Sequence, residues 1–105
     1  MIKREITESP INQGIHERVA YQLTTTPWGS SPSSPEVKLY SVNITTGVLA
    51  DVSATNLTGT ATIVGDVITT PLVIGLAAGT RYRMDILFVV SGNTEEAYGW
   101  IEATR

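Results

Sequence analysis

The stretch LAAGTRYRM, residues 76–84, carries the pattern that decides the fold. Leu76, Gly79 and Tyr82 are spaced as L-x-x-G-x-Y, and the alternating run RYRMDILFVV follows at 81–90. Glycine adopts backbone conformations that a side chain would hinder, and a sharp corner before a strand requires such a conformation. The pattern predicts a corner that leads into a long strand, with Tyr82 buried at the start of that strand.

The rest of the chain alternates with a period of two and shows no helical stripe, which predicts strands. Turn-rich sequence such as PWGSSPSSP at 27–35 and TTG at 45–47 separates these segments. Pro71, inside one of them, indicates an edge position or a bulge. The predicted strands follow one another at intervals of roughly ten residues and lie at about 17–26, 36–44, 50–55, 59–64, 67–76, 80–90 and 94–104.

About seven short strands predict an all-β, antiparallel sandwich. The corner at residues 76–82 indicates which kind of sandwich this is. In Ig-like and fibronectin type III-like sandwiches, a tyrosine at this corner hydrogen-bonds through its hydroxyl to backbone a few residues upstream. We therefore interpret Leu76, Gly79 and Tyr82 as structural residues of an Ig-like sandwich over residues 17–105. Residues 1–16 are polar, with widely spaced isoleucines, and predict an extended N-terminal arm.

The last hairpin gives a predicted register. The sequence SGNT at 91–94 places Gly92 and Asn93 at the tip, a pair that accepts the positive φ of a two-residue turn. With Ser91 opposite Thr94, small or apolar residues face each other on the core side, and one opposite-charge pair lies on the outer side. The predicted pairs are Tyr82–Ala103, Met84–Ile101, Ile86–Gly99 and Phe88–Ala97 on the core face, and Arg83–Glu102, Asp85–Trp100 and Leu87–Tyr98 on the outer face.

Composition and charge exclude several classes of function. Of the 105 residues, 42% are hydrophobic and 16% are charged, which favours one compact domain over disorder. The formal net charge is −3, and no basic block exists to neutralise phosphates, so we expect no nucleic-acid partner. No apolar run approaches the ~20 residues of a membrane span, and no signal-peptide core follows the basic start. We expect no membrane partner and synthesis in the cytoplasm.

Candidate catalytic and metal-binding residues are few. His16 is the single histidine and cysteine is absent, so neither a nucleophilic triad nor a thiolate metal site is available. The carboxylates are scattered and lack the clustered spacing of calcium loops. The sequons at Asn43 and Asn56 are expected by chance in a threonine-rich chain. We predict no catalysis, no metal and no cofactor, and interpret His16 as a solvated or interface residue.

The outer face of the last hairpin is the most informative surface. Contiguous apolar and aromatic side chains that point away from a core mark interfaces. The alternative is that the arm, or another part of the same chain, covers them. We expect Trp28 either to extend this surface or to cap one end of the sandwich. The predicted interface consists of Leu87, Val89, Tyr98 and Trp100 in the hairpin, Trp28, and the arm residues Ile2, Ile6, Ile11 and Ile15.

Much of the chain resembles a family of small tailed-bacteriophage virion proteins, labelled fibre–tail adaptor or head–tail structural proteins. The resemblance runs from about Ile6 to Arg105, and its most specific pieces are TTTPWGSSP at 24–32, GDVITTPLV at 65–73 and IEATR at 101–105. The other stretches that carry it are SPINQG at 9–14, AYQLTTTPWGSSP at 20–32, LYSVNITTG at 39–47, the run from DVSATN to TRYR at 51–83, and EAYGWIEATR at 96–105.

The resemblance implies an Ig-like sandwich without catalysis that assembles in multiple copies on a virion. The implied partners are further copies of the chain and other virion proteins, namely a capsid, head–tail connector, tail or fibre protein. The implied location is the virion, after synthesis in the host cytoplasm. The residues alone leave a competing class open: a glycan- or receptor-binding module in which Trp28, Tyr98 and Trp100 stack on sugars beside Asp85 and Glu96.

Overall fold

A computed structural model describes residues 3–5, 11–26, 29, 31–43 and 45–104. For residues 3–5 it describes only the backbone. Strands account for 59% of the described residues and helix for 4%, as the threonine- and valine-rich alternation favours. The prediction of an all-β chain is confirmed. In chain order the elements are β1 (Lys3–Glu5), β2 (Ile11–Gly14), β3 (Gln22–Thr24), β4 (Ser33–Val42), β5 (Leu49–Asp51), α1 (Ser53–Asn56), β6 (Leu57–Thr58), β7 (Thr62–Val64), β8 (Val67–Thr69), β9 (Leu72–Val73), β10 (Arg81–Val90) and β11 (Asn93–Thr104).

The larger sheet is built around the two longest neighbours, β10 and β11. Its strands are ordered β1–β11–β10–β4–β5, and β2 also pairs with β11. β10 is antiparallel to both β11 and β4, whereas β1 and β2 run parallel to β11. The N-terminal strands therefore cover the edge that β11 would otherwise expose.

The second layer is an antiparallel set of shorter strands. β8 lies between β3 and β7, and β9 pairs with β6. An antiparallel bridge between Val19 and Val73 extends the pairing of β3 with β8 toward β9. We call this set of strands (β3, β6, β7, β8 and β9) the second layer.

Both layers contribute to one hydrophobic core. Leu23, Ile68 and Val73 enter it from the second layer, and Leu39 enters it from β4. The predicted core residues of the hairpin are confirmed as buried: Tyr82, Met84, Ile86, Phe88 and Ile101. Alternation places these side chains on one face of the larger sheet, toward the second layer.

The corner before β10 contains the predicted tyrosine hydrogen bond. The backbone N–H of Ala77 donates to the Tyr82 hydroxyl oxygen at 2.9 Å. Gly79 has a φ of +76°, a conformation that costs other residues free energy, and its N–H donates to the carbonyl of Ala103. Leu76 is buried. The corner is thus tied both to its own tyrosine and to β11.

Several strand boundaries differ from prediction, and the described residues contain eleven strands where about seven were predicted. The predicted strand 17–26 is regular only in β3, β4 begins at Ser33, and the region around 50–55 contains the four-residue helix α1. A helix of one turn is too short to leave a periodic pattern. The predicted strand 67–76 is divided at Pro71, between β8 and β9. Since proline donates no hydrogen bond, a break is expected there.

The predicted register of the last hairpin is wrong by two residues. The turn is formed by Ser91 and Gly92, with φ values of 51° and 80°, whereas Asn93 begins β11. The observed pairs include Tyr82–Ile101, Arg83–Trp100 and Ile86–Ala97, and Arg81, not Arg83, faces Glu102. A shift of two residues leaves every side chain on its predicted face, because strands repeat every two residues.

The N-terminal arm is extended, but its described part pairs with the chain's own β11. Residues 3–5 lie beside residues 96–98, and residues 11–14 lie beside residues 101–104. The N–H of Ile15 continues this ladder to the carbonyl of Thr104 at 2.8 Å. The described part of the arm therefore contributes two strands, β1 and β2, to the larger sheet.

Candidate functional site

The outer face of the larger sheet brings together aromatic and charged side chains from three strands. In the β10–β4 and β10–β11 registers, Arg83 lies between Tyr40 and Trp100, and Asp85 lies between Lys38 and Tyr98. Alternation places all of these side chains opposite the core. We call the group formed by Arg81, Arg83, Asp85, Tyr98 and Trp100 the arginine–aromatic cluster.

Each aromatic ring of the cluster is in contact with an arginine of the neighbouring strand. Arg81 Cζ lies 4.4 Å from the centroid of the Trp100 ring, and Arg83 Cζ lies 4.3 Å from that of Tyr98. Tyr98 and Trp100 meet edge to face, with their centroids 6.3 Å apart. These distances are those of cation–π pairs, which contribute more as water is removed from them.

Arg83 is held on both sides. Its Nε donates to Asp85 Oδ1 at 2.8 Å, and the two side chains are 16% and 11% exposed. Its Nη2 is buried and has no hydrogen-bond partner among the described residues. The orientation of the Arg83 side chain is therefore set by Asp85 on one side and by the Tyr98 ring on the other.

Sequence reasoning located this surface and placed Arg83 on it, but missed the contacts of Arg81 and Arg83 with the aromatic rings. Leu87, Val89, Tyr98 and Trp100 are partly buried, so the predicted patch is not a bare apolar surface. The alternative that the same chain covers the patch is therefore partly realised, through Arg81 and Arg83. The signal was available, because both arginines share the parity of Leu87 in β10. Whether these side chains bind a partner stays a prediction.

The geometry leaves at most one open face on each of Tyr98 and Trp100 for sugar stacking. Carbohydrate stacking requires an open ring face, and a guanidinium group lies over one face of each ring. Asp85, expected beside the rings as a polar contact, is buried and bound by Arg83. Trp28, the third aromatic of that hypothesis, lies outside the described residues.

The predicted arm contacts divide into two groups. Ile11 and Ile15 are half-buried, and Ile15 packs against the chain's own core, so part of its side chain is covered by the chain itself. Ile2 and Ile6 lie outside the described residues. Pairing with β11 explains this outcome, because it turns alternate residues of the arm toward the core.

A buried polar network that was not predicted anchors the arm. The Gln13 side chain, 1% exposed, donates from Nε2 to the carbonyl oxygens of Val73 at 2.8 Å and Glu17 at 3.2 Å. The Tyr21 hydroxyl donates to Gln13 Oε1. Burial, with a smaller contribution from the Glu17 carboxylate, raises the pKa of Tyr21 to about 12. Every polar atom of the Gln13 side chain is thus engaged, which compensates its burial.

Asp66 fastens the β7–β8 turn to the connection that follows β3. Its carbonyl oxygen accepts from the Thr25 N–H at 2.8 Å, and its carboxylate accepts from the Ser31 N–H at 3.0 Å and from the Thr26 hydroxyl. The acid thus has a structural role at one end of the domain.

The remaining candidate chemistry does not assemble. His16 is exposed, and no group of three or more metal-binding side chains occurs within the described part of the chain. Asn56 is buried, and its Nδ2 donates to the carbonyls of Ile74 and Gly75. The second sequon therefore presents no accessible amide nitrogen for glycosylation.

Comparisons with known proteins identify no family for this chain. No protein-family model, curated protein or solved structure matches the chain. Over the residues that the structure describes, no helix has the length and apolar character needed to span a membrane.

Proposed function

We propose that the chain is a non-enzymatic structural protein of a bacteriophage virion. It is an Ig-like module that assembles in multiple copies as an adaptor or decoration in the head–tail or fibre region. The proposal combines the sequence resemblance with the arginine–aromatic cluster. Trp, Tyr and Arg are the side chains that dominate protein–protein interfaces, and the contacts of Arg83 with Asp85 and Tyr98 lower the cost of ordering its side chain.

The strand order supports the Ig-like class. β11–β10–β4–β5 follows the order G-F-C-C′ of the corresponding sheet in variable-type Ig domains, and β3, β8 and β7 follow the order B-E-D. Counted across their short breaks, residues 57–64 form one strand and residues 67–73 form another. The strands besides the arm then number seven, and Tyr82 occupies the position of the tyrosine corner.

The cluster is the observation that carries the interaction surface, and Trp100→Ala tests it. Removing the indole also removes the partner of Arg81, so we expect association with a virion partner to weaken by more than about 2 kcal/mol, roughly 30-fold. The measurement is the incorporation of tagged variants into purified particles, quantified by mass spectrometry, beside a melting curve of each variant.

The matched control is Val48→Ala, which truncates an exposed apolar side chain in the turn before β5. We expect this variant to incorporate like the wild type. Normal incorporation of folded Trp100→Ala protein would exclude the cluster as the contact. Absence of the wild-type protein from particles would exclude the virion role itself.

A further inference from the structure

Residues 11–15 pair with the last strand and are followed by an exposed connecting segment. β2 lies beside residues 101–104, and the Ile15 N–H donates to the Thr104 carbonyl oxygen at 2.8 Å. Residues 16–18 are all exposed. We call residues 11–15 the strap and residues 16–18 the connecting segment. The strap is the last part of the arm before the chain enters the second layer.

The chain beyond the connecting segment is held independently of the strap. The Val19 N–H donates to the Val73 carbonyl oxygen at 3.2 Å, and the Val73 N–H donates back to the Val19 carbonyl oxygen at 2.8 Å. Val73 is fully buried. Opening of the strap at the connecting segment therefore leaves the pairing within the second layer intact.

The backbone acceptors that bind the strap keep a partner when the strap leaves. The Val73 carbonyl oxygen, which accepts from Gln13 at 2.8 Å, retains its bond from Val19. Glu17, whose carbonyl oxygen also accepts from Gln13, is exposed, and so is Thr104. Exchanging a hydrogen bond for one to water costs little, whereas leaving a buried group without a partner costs much. Release of the strap therefore avoids the larger cost.

Tyr21 completes the site that the Gln13 side chain occupies. Its hydroxyl donates to Gln13 Oε1, and the residue is only half-buried, so water reaches the hydroxyl once the strap is released. The apolar contact of the strap comes from Ile11 and Ile15, which are also half-buried. The strap is thus held mainly by polar contacts that water can replace.

We propose that the strap is releasable, and that its release makes the edge of β11 at residues 101–104 a strand-addition site for an extended segment of a partner. An edge strand presents unpaired N–H and C=O groups, and a segment that pairs with them gains main-chain hydrogen bonds. The strap shows what fits: an uncharged segment with glutamine between two isoleucines, spaced as I-x-Q-x-I. A charged side chain in place of the glutamine would be costly to bury.

The closed strap competes with such a segment and sets the apparent affinity. A minor state of this kind is populated at about 0.1–10%, which raises the apparent Kd about 10- to 1,000-fold over that of the open edge. For an open-edge Kd of about 1 µM, the apparent Kd is about 10 µM to 1 mM. Because the edge and the strap belong to the chain itself, this inference does not depend on a virion role.

A disulfide that locks the strap tests the proposal in the full chain, which contains no cysteine of its own. Asn12 and Glu102 are exposed register partners, and neighbouring strands lie at a separation that a disulfide can span. The probe is a fluorescent peptide of residues 9–16, SPINQGIH, titrated against up to about 1 mM protein and followed by anisotropy. The wild type and the reduced Asn12→Cys/Glu102→Cys protein should bind it, and oxidation of the variant should weaken binding at least about tenfold.

The matched control is a second disulfide at the opposite edge of the same sheet. Val42→Cys with Leu49→Cys joins register partners of β4 and β5 and should leave peptide binding unchanged in both redox states. A peptide carrying Gln13→Ala should bind at least about tenfold more weakly, because it leaves the site of the glutamine unfilled.

Hydrogen exchange of the wild type measures the opening directly. The Ile15 and Val73 N–H groups both make backbone hydrogen bonds of 2.8 Å, but only the first opens with the strap. Ile15 should therefore exchange at least about tenfold faster than Val73. The proposal is overturned if the two exchange equally, if the wild type binds no peptide at about 1 mM, if the oxidised lock binds it as well as the reduced form, or if the two peptides bind alike.

Discussion

At the scale of single residues, Tyr82 links the corner to the strand that follows it. Tyr82→Phe keeps the buried ring but leaves the Ala77 N–H without its acceptor. We expect the free energy of unfolding to fall by about 1–2 kcal/mol, measured by chemical denaturation. Tyr40→Phe, on the outer face of β4, is the matched control and should change it less. Equal effects of the two substitutions would show that the hydroxyl bond does not stabilise the corner.

The raised pKa of Tyr21 predicts that the folded chain loses stability at alkaline pH. Its pKa is about 12 in the folded chain against an ordinary value of 10.0. Because the folded pKa is the higher one, the stabilisation is complete below about pH 10 and is lost as the pH rises from about 10 toward 12. The free energy of unfolding should therefore fall more steeply over this range in the wild type than in Tyr21→Phe. Parallel pH profiles would contradict this assignment.

The predictability of these two residues differs for a physical reason. The Tyr82 bond closes over five residues, so local spacing revealed it. The Gln13 network joins positions 60 residues apart, and nothing in the sequence near Gln13 distinguishes it from a solvated glutamine. A buried polar side chain becomes recognisable only when its distant acceptor has been placed.

At the scale of elements, the last hairpin shows what alternation determines. Parity alone assigned the core and outer faces of β10 and β11 correctly. The register required knowledge of which two residues form the turn, and Ser91-Gly92 competes with Gly92-Asn93 for that place. Ser91 takes a positive φ, which a serine tolerates only at a cost, so propensity favoured the wrong pair.

This turn assignment can be tested with two glycine substitutions. Ser91→Gly removes the cost of a left-handed residue and should leave stability unchanged or raise it. Asn93→Gly places glycine inside a strand and should lower the free energy of unfolding by about 0.5–1 kcal/mol. Denaturant melts of both variants are the measurement. The opposite ranking would favour the Gly92-Asn93 turn.

At the scale of the whole molecule, the arm connects the two layers. β2 pairs with β11 in the larger sheet, while Gln13 donates to Val73 in the second layer. Deleting residues 1–14 should leave a β-rich circular dichroism spectrum but lower the free energy of unfolding by about 2–4 kcal/mol, through lost hydrogen bonds and apolar burial. Asn12→Ala, at an exposed position of β2, is the control and should have little effect. An unchanged melting temperature after the deletion would contradict this role.

For the whole molecule, the sequence predicts the class of fold but not how the strands are arranged in the sheets. The all-β class and the buried face of the hairpin followed from alternation. The placement of the arm did not, because a parallel pairing between the first and last strands has no local signature.

The parallel pairing of β2 with β11 also determines how the domain carries mechanical load. Residues 11–14 and 101–104 lie side by side and point in the same direction. Tension applied between the two ends of the chain pulls these strands past each other along their axes. All hydrogen bonds of the ladder are then loaded together in shear, whereas unzipping would break them one at a time. A chain held in this way resists extension at its own ends, which pulling on single molecules can measure.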